Sequence, residues 1–308
     1  MAIPIYVIGS SNTDMVVRAE RLPMPGETVM GTNFWMNPGG KGANQAVAAA
    51  RLGSRVTLVA RVGNDLFGKQ SLDNFQSENI DTTFVKIDNE HPSGIALIGV
   101  DAEGENCIMV APGSNGYLDV KDVAEAFNTI KEEAVILVQL EIPMETVEFA
   151  ITQGNALKCK VILNPAPAMA IKNTMLQHLY MITPNESEAE TLTGIRVTDN
   201  VTAERAAQKL LERGVTNVIV TLGAKGAYLY NGSNGRHIPA PRVNAIDTTA
   251  AGDCFNGALA VALSEGLELA EAVGFACRAA SISVTRMGAQ SSMPSRKEAD
   301  DISLFSTP

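Results

Sequence analysis

The sequence predicts an α/β fold with a mostly parallel central sheet and a small additional β layer, and three observations carry that expectation. Short apolar runs alternate with helical patterns over most of the 308 residues, as successive βαβ units do. Residues 13–37 and 93–110 break this rhythm with alternating character around turn residues. The apolar runs also empty into small polar residues, on the edge where open parallel sheets hold their ligands.

In chain order, strands are expected at 3–8, 56–62, 135–140, 161–163, 180–182 and 218–222. Helices are expected at 43–52, 144–157, 186–193 and 203–213, with Gly53 and Gly214 closing two of them. A further helix follows from Phe255, Ala258, Leu259, Ala262 and Leu263, spaced i, i+3, i+4, i+7 and i+8 and ending at Gly266. The first interruption turns at Pro23-Met24-Pro25-Gly26, and the second reads as a hairpin about Asp101-Ala102-Glu103-Gly104. Both are expected as antiparallel strands outside the main sheet. Such a layer suits a lid over a cleft or a contact with another subunit, and equally two surface hairpins without a role.

A hydrophobic content of 45% over this length suffices for a large core. The formal net charge of −10 argues against nucleic-acid or anionic-membrane partners. Cys107, Cys159, Cys254 and Cys277 show no C-x-x-C spacing, which suits reduced thiols in a cytoplasm. His91, His178 and His237 lack ligand-like spacing, so a zinc site has little support. The run 3–8 is too short for a signal peptide, and no run is long enough to span a bilayer.

The chemistry concentrates in Asp247-Thr248-Thr249-Ala250-Ala251-Gly252-Asp253-Cys254-Phe255-Asn256-Gly257, which sets a carboxylate at the mouth of an apolar helix. Small residues at 250–252 leave the first backbone N–H groups open, and the helix dipole there favours an anion. Asp253 is then placed to take a proton. The same residues also suit an ordinary capped helix, where an Asp in the first turn contributes about 1 kcal/mol.

Other strand ends supply polar partners. They are Gly9-Ser10-Ser11-Asn12-Thr13-Asp14, Gln139-Leu140-Glu141, Asn164-Pro165, Thr183-Pro184-Asn185-Glu186 and Thr221-Leu222-Gly223-Ala224-Lys225-Gly226. Asn164 alone reads as a helix cap, and Lys225 alone as a solvated lysine. Pro38-Gly39-Gly40-Lys41-Gly42-Ala43-Asn44-Gln45-Ala46 adds a glycine-rich turn opening an Ala-rich helix, with Asn44 one turn in. Neither a G-x-x-x-x-G-K-[ST] loop nor a G-x-G-x-x-G after the first strand is present, which disfavours a P-loop nucleotidase and a nicotinamide-dependent dehydrogenase.

Together these segments resemble the ribokinase family of sugar kinases from end to end. The Lys-Gly-Ala-Asn-Gln portion of 41–45 and the run 247–257 carry the resemblance, and the segments at 9–14, 164–167 and 184–188 extend it. It implies a three-layer α/β/α, Rossmann-like main domain (1–12, 38–92 and 111–308) and a small β-sheet lid (13–37 and 93–110) that doubles as a homodimer interface. It implies an ATP-dependent kinase that phosphorylates D-ribose at its 5-hydroxyl, with deoxyribose or a nucleoside as alternative acceptors. A non-catalytic sugar sensor on the same fold is the alternative of another class. Asn12, Asp14, Gly40, Lys41, Asn44 and Glu141 would hold the sugar, Asp253 would be the base, and the backbone of Ala250, Ala251, Gly252 and Asp253 the anion hole. Asn185, Thr221, Gly223, Lys225, Gly226 and Gly252 would bind ATP, with Cys277 where a His often lies beside the adenine. Glu188 would reach Mg²⁺, through water, and Asp247, Thr249, Ser283, Arg286, Gly288 and Ser292 a monovalent cation such as K⁺. The family's usual Gly-Ala-Gly-Asp begins here with Ala250, which implies a negative φ at that position. Gly252 is expected to be the position least tolerant of a side chain.

Overall fold

The computed structural model describes residues 2–233 and 235–301. Strand β1 (Ile5–Ile8) opens the chain, followed by β2 (Asn12–Ala19), β3 (Gly31–Gly39), helix α1 (Lys41–Arg51), β4 (Val56–Gly63), α2 (Leu66–Ser77) and β5 (Asp81–Asp88). Then come β6 (Gly94–Val100), β7 (Asn106–Ala111), α3 (Val120–Phe127), β8 (Val135–Val138), α4 (Met144–Ala156), β9 (Lys160–Leu163), α5 (Asn173–Leu176) and β10 (Met181–Ile182). The remainder is α6 (Glu186–Thr193), α7 (Asn200–Glu212), β11 (Asn217–Thr221), β12 (Ala227–Tyr230), β13 (Gly235–Ile238), α8 (Ala251–Ser264), α9 (Leu269–Ser283) and α10 (Arg296–Asp300).

Nine strands form one sheet in the order β13-β12-β11-β10-β9-β8-β1-β4-β5. It is parallel from β5 to β11, and β12 and β13 add an antiparallel edge. Alternate side chains of each strand feed opposite layers. Ile5, Val7, Val135 and Leu137 pack with residues of α1, α8 and α9, whereas Tyr6, Ile8, Ile136 and Val138 pack with α3, α4 and α7. The three-layer expectation therefore holds.

Strand β1 lies between β4 and β8. The chain winds away from it in both directions, which opens a crevice at the carboxyl ends of β1 and β8. Helices α1 and α8 meet over that edge by an approach that requires glycine. A Cβ at Gly257 would lie 2.7 Å from both the Ala48 methyl and the Gln45 carbonyl oxygen. The mouths of α1 and α8 are thereby brought together.

A separate four-stranded sheet has the order β3-β2-β6-β7. Each sequence interruption supplies one antiparallel pair, as expected, but the two are joined by a parallel pairing of β2 with β6. Register locks this sheet to the crevice, because Asn12, at its start, pairs with both Gly39 and Gly94. Phe34 (61% exposed) and Met109 (65%) are large apolar side chains left open on it. Among the described residues, no helix is long and apolar enough to cross a membrane.

Candidate active site

Asp253 lies in the first turn of α8 and is only 6% exposed. It does not cap its own helix. Its two carboxylate oxygens instead accept from Asn44 Nδ2 and Gln45 Nε2, each at 2.9 Å, across the α1–α8 junction. Burial pushes the carboxyl above its ordinary value, against Lys41 and these two hydrogen bonds, while Glu141 adds to the rise.

The turn before Asp253 differs from expectation. Ala250 takes the left-handed conformation, φ 56°, not a negative φ. A single such residue costs about 1–2 kcal/mol, and the surrounding loop holds it there. Asp247 accepts from Thr249 N at 2.9 Å and from Gly288 N at 2.8 Å, tying the loop to the segment after α9. With Ala251 N donating to Thr248 O and Cys254 N to Ala250 O, the N–H groups of Gly252 and Asp253 have no partner among the described residues. The expectation for Gly252 also changes, since a Cβ built on it meets nothing within 4 Å. The protein leaves that space open.

Lys41 begins α1 beside this carboxylate. Its backbone N–H donates to Glu141 Oε2 at 3.1 Å, the same oxygen that accepts from Ser10 Oγ at 2.5 Å, and its ammonium lies 4.0 Å from Glu141 Oε1. Burial pulls the ammonium down, but Asp253, Glu141, Glu188 and Asp14 together outweigh it and hold its pKa above the ordinary value. Asp14 is raised to about 7, by burial first and then by Glu141 and Asp253, against Lys41. Gly40 permits the turn into α1, with φ 89° and no room for a Cβ, which would lie 2.6 Å from Asn12 N. Asn12 Oδ1 accepts from Asn115 Nδ2 at 2.8 Å. The side-chain oxygen of Asn44, Oδ1, is buried without a partner.

Asn185 and Glu188 turn out to be a reciprocal capping box on α6. Glu188 N donates to Asn185 Oδ1 at 2.8 Å and Asn185 N to Glu188 Oε2 at 2.9 Å. Glu188 is nonetheless buried, and its pKa is raised by burial, with Asp253 adding to the rise against Asn185 and Lys41. Thr221 bridges to Asn185, which brings the end of β11 alongside α6. Gly223, Lys225 and Gly226 form the turn that follows, and Lys225 is exposed. Cys277 lies apart from them in side-chain character. It is 4% exposed within the α8–α9 core, and burial pushes its thiol up to about 12.

The remaining polar residues lie around the loop that Asp247 ties. Burial opposes ionisation of Asp247, but the donors from Thr249 and Gly288 prevail and its pKa is lowered. Arg286 pairs with Glu298. Ser283 and Ser292 donate to the carbonyls of Ala280 and Ala289.

Sequence reasoning missed three residues and misread a fourth. Asn164 is no helix cap; its Oδ1 accepts from Gln45 Nε2 at 3.0 Å inside the buried network. Gln45 and Gln139, which join the same network, and Asn115, which holds Asn12, carry no role in the sequence reading. The available signal was that Gln139 and Asn164 both directly follow strands, as the ligand residues do.

A buried carboxylate facing unpaired N–H groups at a helix mouth, in the crevice of a doubly wound sheet, is the equipment of a phosphotransferase. The model of the pfkB family of carbohydrate kinases matches residues 3–296. The chain belongs to that family, and it is an enzyme of the kinase class. Within the family it is similar to the ribokinase of Haemophilus influenzae, 44% identical with 96% of each chain covered. It is also similar to a deoxyribokinase of Salmonella typhi, 39% identical over 94% of this chain and 95% of the other. The structure of Arabidopsis thaliana ribokinase complexed with ribose and ATP matches with a TM-score of 0.90 and 32% identity, covering 100% of both chains.

Proposed function

We propose that this enzyme transfers the γ-phosphoryl group of ATP to the 5-hydroxyl of D-ribose. The observation that carries the reading is Asp253, buried between Asn44 and Gln45 and set beside the unpaired N–H groups of Gly252 and Asp253. Asp253 accepts the proton of the attacking hydroxyl, and the free N–H groups of Gly252 and Asp253 stabilise charge developing on the phosphoryl oxygens. A ribose offers neutral hydroxyls, which match the carboxylates of Asp14 and Glu141, the Lys41 ammonium, the amide of Asn12 and the free side-chain oxygen of Asn44. Gly40 lets the backbone approach.

Asn185, Thr221, Gly223, Lys225, Gly226 and Gly252 receive the nucleotide. Burial of the Cys277 thiol argues for backbone and apolar contacts to the base there. Four carboxylates around Lys41 make the crevice acidic, so polyphosphate binding favours a divalent cation. Mg²⁺ is carried largely by phosphate and water, with Glu188 reaching it through water. When bound, Mg²⁺ offsets phosphate charge. The loops of Asp247, Thr249, Ser283, Arg286, Gly288 and Ser292 suit a monovalent cation such as K⁺, held by backbone carbonyls, because the side chains of Asp247 and Arg286 are already engaged. The exposed apolar face of the small sheet supports a lid that also joins two subunits, and four free cysteines suit a reducing cytoplasm.

Steady-state kinetics with ATP on D-ribose, 2-deoxy-D-ribose and a nucleoside test the acceptor. We expect kcat/KM for ribose to exceed that for deoxyribose by about 10-fold or more, since a buried partner of the 2-hydroxyl would be left unpaired. Preference for deoxyribose or the nucleoside would overturn the assignment. Gly252→Val tests the anion hole separately. Open space around the missing Cβ predicts a folded variant with Tm close to that of the parent and a kcat lowered by about 10²-fold; full turnover would place the phosphoryl group elsewhere.

A further inference from the structure

We propose that Gln45 is the positioning residue of the phosphoryl-transfer site, fixing the Asp253 carboxylate through an amide whose own orientation is set by Gln139 and Asn164. This rests on Asp253 acting as the base.

Gln45 is fully buried and has all its hydrogen-bonding groups engaged. Its Nε2 donates to Asp253 Oδ1 at 2.9 Å and to Asn164 Oδ1 at 3.0 Å, and its Oε1 accepts from Gln139 Nε2 at 2.6 Å. Turning the amide over would set its oxygen against two acceptors and its NH₂ against a donor. Only one orientation is satisfied. Asn44, which holds the other carboxylate oxygen, has no such constraint, because its side-chain oxygen has no protein partner. Gln45 is therefore the fixed side of the clamp and Asn44 the side free to answer a substrate.

The network also returns to its start. Asn164 Nδ2 donates to Thr183 O at 3.4 Å, and Thr183 Oγ1 donates to Asn256 Oδ1 at 2.7 Å. Asn256 Nδ2 then donates to the carbonyl of Gly252 at 2.8 Å, one residue before Asp253. Residues following β8, β9 and β10 thus hold both the carboxylate and the turn that bears the free N–H groups. A site of this kind loses about 10²-fold in rate for an error of about 1 Å, which gives a buried, fully oriented clamp its use.

The test measures kcat and D-ribose KM for Gln45→Met, Asp253→Asn and the double variant. We expect Gln45→Met to lower kcat by about 10- to 100-fold with KM within about threefold of the parent, and to have no further effect once Asp253 is Asn. Parental kcat in folded Gln45→Met, or losses that multiply in the double variant, would overturn the proposal. Should Gln45→Met fail to fold, Gln139→Met leaves Gln45 present but removes the donor that holds its Oε1. There kcat should fall by about 3- to 10-fold at constant KM, and an unchanged kcat would again overturn it. Full turnover by Asp253→Asn would instead remove the base assignment, and this inference with it.

Discussion

Asp253→Asn is expected to lower kcat by about 10²- to 10⁴-fold while D-ribose affinity stays within about threefold of the parent. The structure explains why binding should survive. An Asn at 253 brings one donor where the carboxylate had two acceptors, so one neighbour must adapt. Gln45 cannot, because its Nε2 also donates to Asn164 Oδ1, against which a turned amide would set its oxygen. Asn44 can, since its side-chain oxygen has no protein partner and can turn toward the new NH₂, leaving its own NH₂ to meet a sugar hydroxyl, which accepts as well as donates. The substitution also removes a charge that raises Asp14, leaving that carboxylate better ionised for the sugar. Calorimetric titration with ribose and single-turnover kinetics separate the two effects. Undiminished turnover would mean that another group takes the proton.

Asp14→Asn is expected to raise the KM for ribose by about 10- to 100-fold, the usual effect of losing hydrogen bonds to a charged group, and at the same time to stabilise the folded protein. The sign follows from proton binding. Unfolded, the carboxyl titrates near its ordinary value of 3.8, whereas burial, Glu141 and Asp253 raise it to about 7 when folded. Between those values the folded state holds a proton that the unfolded chain has released, so stability is lost as pH rises from about 4 through about 7. Asn does not titrate. The Tm of the variant should therefore match the parent near pH 4, exceed it increasingly toward pH 7, and keep a constant lead of several degrees above that. A lead that does not grow with pH would show that Asp14 is not perturbed in the folded protein. Such a trade of stability for binding is what a site with four carboxylates around one lysine should show.

Much of this was legible because the features are local. Strand ends, the glycine turn before Lys41 and the apolar helix after Asp253 are written in contiguous residues, and in a doubly wound sheet those ends face one crevice. What escaped depends on distant partners. Gln45 follows Asn44 in an Ala-rich helix and reads as core packing until Asp253 is brought beside it by the small residues of the α1–α8 contact. The conformation of Ala250 is imposed by Asp247 reaching Gly288, a contact across 41 positions. Strand β5, Asp81–Asp88, opens with three polar residues, lies at a sheet edge and lacks the apolar run of its neighbours. Helix α9 is masked differently. Lying between α8 and the β12–β13 edge, it is small and apolar on most sides, so the periodicity that betrays a surface helix is faint. Helix α3 could have been found, since Asp119 and Asp122 have the spacing of a capping box.

The position of the transferred phosphate tests the central claim most directly. Phosphorus NMR of the product made from D-ribose and ATP distinguishes the hydroxyls by their attached protons. If Asp253 deprotonates the primary hydroxyl at the mouth of α8, the product resonance should be a triplet, split by the two protons on C5. A doublet, from phosphate on C1 or another ring carbon bearing one proton, would contradict it.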